Sequence, residues 1–169
     1  MTDYNRGLFR FIENSPTPFH AVANIAERLV KAGFTQLYEE EPWRLQSGKY
    51  FVCRNLSSLI AFVLPEQFEG FQIIASHVDS PAFKLKANPD LYTGLYARLN
   101  TEKYGGMIYS SWFDRPLSIA GRIVKECPGG IKIELVNIDR DVCMIPNIAI
   151  HLQPEQNEGK KINLHKDTL

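Results

Sequence analysis

Histidine and aspartate two residues apart, in His77-Val78-Asp79, are the side chains of this sequence best suited to a metal. Neutral imidazole nitrogen is a good zinc ligand, and a neighbouring carboxylate fixes the ring and raises its basicity. In extended backbone, residues two apart share a face, so the two side chains can lie together. The same triplet also suits a surface turn with an Asx cap. Two further groupings carry reactive side chains. His151 interrupts the apolar run IPNIAIHL at residues 145–152, where on its own it reads as a satisfied core or interface histidine. Residues 104–117, YGGMIYSSWFDRPL, set four aromatic side chains around Gly105-Gly106 and an adjacent Asp114-Arg115. That pattern reads as an aromatic corner with a surface ion pair. A dinucleotide site does not fit, because the glycines lack the G-x-G-x-x-G spacing and no helix follows.

These residues need elements to position them. Residues 71–75 form a short apolar run that suits a strand covered on both faces, delivering His77 at its end. Strand ends are where α/β folds place their sites. Pro81 stiffens the exit and biases Ser80 toward extended backbone. Upstream, Leu8, Phe11 and Ile12 give a helical stripe that stops before Ser15-Pro16-Thr17-Pro18. Thr17 suits an N-cap and Pro18 the first helical position of a second helix. That helix carries Phe19, Val22, Ile25, Ala26, Leu29 and Val30, and Gly33 stands where it should end. His20 falls in its first turn, without a role. Residues 50–54 and 59–63 predict a hairpin around Asn55-Leu56-Ser57-Ser58. The pattern predicts an α/β layered domain.

After Ser80 the texture changes, and a domain boundary is expected near residues 81–90. Pro81 and Pro89 break the chain, and the rest reads as mostly β. Strands are expected at residues 118–124 and 131–138 around Cys127-Pro128-Gly129-Gly130, and another at 148–152. A new apolar alternation begins at Ile162-Asn163-Leu164 and stops at Leu169, as in a chain cut short.

Nineteen basic and nineteen acidic residues cancel, so no broad charged field points to nucleic acid. No apolar run approaches a membrane span. The first residues lack the basic start and apolar stretch of a signal peptide. Three widely spaced cysteines, Cys53, Cys127 and Cys143, fit reduced thiols in a cytoplasmic protein.

Taken together, HVDSPAFKLK (77–86), YGGMIYSSWFDRPLSIAGRI (104–123) and IPNIAIHL (145–152), with SPTPFHAV (15–22), resemble the aspartyl aminopeptidase family of zinc metallopeptidases, in the family's order. The resemblance implies a cytoplasmic exopeptidase that removes N-terminal, typically acidic, residues from peptides with a two-zinc centre. It implies the N-terminal part of an α/β catalytic domain (residues 1–82) followed by part of a mostly β dimerisation domain (residues 83–169), and hence a homo-oligomer. By that likeness His77 matches a zinc ligand and Asp79 the catalytic carboxylate that orients it. His151 matches a catalytic histidine that reaches the neighbouring subunit's active site. The 112–116 segment is expected to shape the inserted domain.

The family's bridging aspartate, adjacent glutamate pair, further carboxylate and second histidine come from later chain. Glu39-Glu40-Glu41 is not that pair, because it precedes the His77 motif; His165 and Asp167 come too early. The 169 residues alone are therefore expected to be inactive and to bind zinc weakly. The ligand chemistry by itself also admits manganese or cobalt. The alternative is a truncated paralogue acting as a non-catalytic oligomerisation or binding module.

Overall fold

The computed structural model describes residues 2–154, 158–159 and 161–164. By its internal contacts the chain divides into two compact units, Met1–Asp79 with Ala120–Asn137, and Ser80–Ile119 with Ile138–Leu169.

The first unit opens with two helices, α1 (Asp3–Glu13) and α2 (Pro18–Lys31). The Thr17 hydroxyl accepts the His20 amide N–H at 3.4 Å, so the N-cap forms where the sequence places it. At the other end the amide of Gly33 (φ +81°) bonds to Val30 and that of Phe34 to Leu29. These are the two bonds of a Schellman motif, and its left-handed residue is the glycine. Asn24 on α2 donates to the Asn14 carbonyl at 2.7 Å and to Ser15 Oγ at 3.0 Å, and Arg28 stacks 4.9 Å over the Phe11 ring. These contacts tie the helices together, yet Leu8 and Ile12 of the α1 stripe stay exposed.

Three strands form one sheet in the order β1 (Thr35–Leu37), β2 (Gly48–Arg54), β3 (Ser58–Leu64). β1 runs parallel to β2, and β2–β3 is the expected hairpin. Its turn needs left-handed backbone at Asn55 and Leu56. Phe51, at the middle of β2, is wholly buried, and α2 contributes the buried Ala21 and Val22.

Also in this unit is the hairpin of β6 (Ala120–Cys127) and β7 (Gly130–Asn137). Pro128 fixes the first turn position, and Gly129 (φ +103°) supplies the positive φ needed at the second. Arg122 anchors the hairpin, lying 4.2 Å over the Phe19 ring and donating to the Asn55 carbonyl at 2.7 Å.

One expected strand is absent. Residues 71–75 have no regular structure, and Phe71, Ile73 and Ile74 are 81%, 82% and 100% exposed. An apolar run becomes a buried strand only where neighbouring strands bond its N–H and C=O groups on both sides. The β1–β2–β3 sheet does not include it.

The second unit is built on the long hairpin β4 (Ala82–Thr93) and β5 (Tyr96–Tyr104). Pro89 does not break it. The register shifts between Leu85 and Asp90, so the residue that cannot donate to the ladder falls in an irregular stretch of it. A 3-10 turn, Tyr109–Trp112, follows. Trp112 sets its ring edge-on to Phe83, with centroids 5.3 Å apart. Residues 148–152 are not the strand expected from their alternation. Leu152 N–H bonds to Ala149 O at 2.8 Å and Gln153 N–H to Ile150 O at 3.2 Å, which closes a local turn instead. The 162–164 alternation forms no strand either, and His165 and Asp167 lie outside the described residues.

Candidate metal-ligand site and the His151 loop

His77 and Asp79 meet as the two-residue spacing allows, although residues 71–80 have no regular structure. His77 Nδ1 lies 3.0 Å from the Asp79 carbonyl oxygen and 3.1 Å from Asp79 Oδ1. Both partners are acceptors, so the ring proton belongs on Nδ1 and the Nε2 lone pair is left to bind a metal. The imidazole is 85% exposed, so a ligand can approach it.

The donor set fits zinc at this one position. Among the described residues no group of three His, Cys, Asp or Glu side chains could hold a metal ion. The geometry at this position is therefore that of one imidazole nitrogen open to a ligand, with Asp79 against the other. Glu39 is engaged elsewhere. Arg54 Nε donates to it at 2.9 Å, and this bonding lowers the Glu39 pKa. His20 is likewise accounted for, with Nδ1 2.7 Å from the Thr17 hydroxyl and its pKa lowered by burial.

His151 lies in the other unit, exposed, within the 149–153 turn. Residues 142–147 are laid along residues 113–117 before that turn begins. Leu117 N–H bonds to Cys143 O at 2.9 Å and Val142 N–H to Leu117 O at 3.0 Å, while Asp114 N–H bonds to Ile145 O at 2.9 Å. The final tie comes from the Asp114 side chain. Its Oδ1 accepts the Asn147 backbone N–H and its Oδ2 the Asn147 amide group, each at 2.8 Å.

This corrects the reading of Asp114-Arg115 as an ion pair, because Arg115 donates to Ser111 O at 3.1 Å instead. Asp114 holds a left-handed φ of +54°, which aspartate tolerates better than most residues. The backbone bond from Asn147, then the side-chain bond, hold its carboxyl below the ordinary 3.8. A depressed folded pKa stabilises the fold above the ordinary value, and that contribution fades as pH falls through the lower one. The sequence signal for this contact was the Asp-Arg-Pro corner, but nothing in it named Asn147 as the partner.

The three cysteines are free and half-buried, and burial raises the pKa of Cys53 and Cys143. Among the described residues no helix is long and apolar enough to cross a membrane.

The family described as "Aminopeptidase I zinc metalloprotease (M18)" matches residues 11–169. A "Probable M18 family aminopeptidase 2" from Clostridium acetobutylicum is 47% identical over 99% of this chain, and one from Azotobacter vinelandii is 42% identical over 98%. The chain spans about 40% of the length of each of these relatives.

Among solved structures, that of the Ape4 and Nbr1 complex superimposes with a TM-score of 0.89 at 42% identity. It covers 94% of this chain and 32% of that one. The mApe1 dodecamer of Saccharomyces cerevisiae matches with a TM-score of 0.82 at 34% identity, covering 89% of this chain and 37% of that one. The chain is a member of the M18 family of zinc metalloprotease aminopeptidases.

Proposed function

We propose that these residues are the N-terminal part of a two-zinc aminopeptidase that removes acidic residues from the N-termini of peptides. The observation that carries the reading is His77 Nδ1 held 3.1 Å from Asp79 Oδ1, within a chain whose family is described as zinc metalloproteases. His77 would supply one zinc ligand through Nε2. Asp79 would hold the ring in that tautomer and raise its basicity. Bound zinc in such enzymes polarises the scissile carbonyl and activates a water. The remaining ligands would come from outside this stretch.

His151 would act in the active site of a neighbouring subunit, so the protein would work as a homo-oligomer. The dodecameric state of a structural relative supports an assembled form. Residues 1–82 would belong to the catalytic domain and residues 83–169 largely to the inserted β domain. In support, the contact units change at Asp79 and Ser80, although the Ala120–Asn137 hairpin groups with the first unit. Free cysteines support a reducing, cytoplasmic location.

The test is hydrolysis of matched peptides by the protein at its natural length. Faster release of N-terminal aspartate or glutamate than of leucine or lysine is expected, with loss on chelation and recovery with zinc. A preference for neutral or basic residues would overturn the assigned substrate class.

A further inference from the structure

We propose that Asp114 is a positioning residue that sets the His151 turn through its clasp on Asn147; this rests on the catalytic reading of His151. Four observations carry it. The clasp spans 33 positions of sequence and is two-pronged, one carboxylate oxygen on the backbone N–H and the other on the side-chain amide, both at 2.8 Å. Hydrogen bonds to a charged acceptor are roughly twice as strong as neutral ones, and two of them fix orientation as well as distance.

Asp114 is held on both sides, since its own N–H bonds to Ile145 O at 2.9 Å. It adopts φ +54° to do so, a conformation that persists in a non-glycine residue only when the surroundings hold it there. Lastly, the clasp is placed where it matters. Asn147 directly precedes the apolar segment leading into the turn closed by Leu152 N–H to Ala149 O and Gln153 N–H to Ile150 O. Among the described residues the loop ahead of His151 belongs to no strand ladder, so ties such as this one help to set its path. An error of about 1 Å in a catalytic group costs on the order of a hundredfold in rate.

The experiment compares variants of the natural-length, assembled protein. Asp114→Gly removes the carboxylate while allowing the left-handed backbone, and Asp114→Asn keeps an acceptor for the Asn147 N–H. Asp114→Gly is expected to lower kcat about tenfold to a hundredfold with little change in KM. It should also speed amide exchange at Leu152 and Gln153 by about tenfold or more. Asp114→Asn should restore most of both, and Asn147→Ala, which keeps only the backbone prong, should fall between.

In a His151→Ala background Asp114→Gly should cause no further loss of kcat. Wild-type exchange and kcat in both Asp114→Gly and Asn147→Ala would overturn the proposal. So would an undiminished loss in the His151→Ala background. If His151→Ala itself keeps wild-type kcat, the catalytic reading of His151 fails and the proposal falls with it. A kcat loss in His151→Ala without one in Asp114→Gly would overturn the proposal alone.

Discussion

Replacing His77 with alanine in the natural-length protein is expected to lower both bound zinc and kcat/KM by more than about a hundredfold. Nδ1 is committed to the two oxygens of Asp79, so Nε2 is the nitrogen that would serve as the ligand. Removing the partner that orients a ligand typically costs about 10–100-fold in metal affinity or activity, and removing the ligand itself should cost more. Asp79→Asn therefore provides the internal scale. It keeps a carbonyl acceptor for Nδ1–H but loses the negative charge, and its effect should fall within that smaller range. Zinc content by atomic absorption and peptide kinetics on the same samples check the order. Equal zinc content in wild type and His77→Ala would remove His77 from the metal centre.

The second large effect is on the fold itself. Phe51→Ala should destabilise the first unit by about 3–5 kcal/mol, the usual cost of truncating a buried phenylalanine. Phe51 sits mid-strand between its register partners Gln36 on β1 and Ala61 on β3, and it is 0% exposed. A loss of that size is a large part of the total stability of an ordinary domain, about 5–15 kcal/mol. A lower urea midpoint with unchanged slope would show it, whereas a midpoint within error of wild type would contradict the assigned core.

The contrast between Phe51 and residues 71–75 shows what the sequence can disclose. Local chemistry was legible. Thr17 and Pro18 start α2, Gly33 ends it, and Pro128-Gly129 turns β6 into β7, each through properties of the residues themselves. The His77–Asp79 contact was legible for the same reason, because a two-residue spacing brings both groups together in any extended segment. The family was legible because several motifs recur in one order.

Residues 71–75 were misread because a doubly covered strand is defined by its neighbours, which a run of Phe, Gln and Ile does not specify. Residues 148–152 failed similarly, their alternation being compatible with a turn once no ladder partner is at hand. Pro89 looked like a breaker but sits where the register of the hairpin shifts, between Leu85 and Asp90, and so is asked for no ladder bond. The Asp114–Asn147 clasp spans 33 residues, a distance at which pairing is decided by tertiary packing and not by local pattern.

The proposal that these 169 residues carry one zinc ligand of a metalloaminopeptidase, and not the whole centre, is open to direct test. Its most direct measurement is zinc titration and peptide turnover on this stretch alone beside the natural-length protein. Tight zinc binding and turnover are expected only in the longer protein, with weak or absent binding and no turnover in the stretch. Stoichiometric tight zinc and comparable turnover in the 169-residue stretch would contradict it.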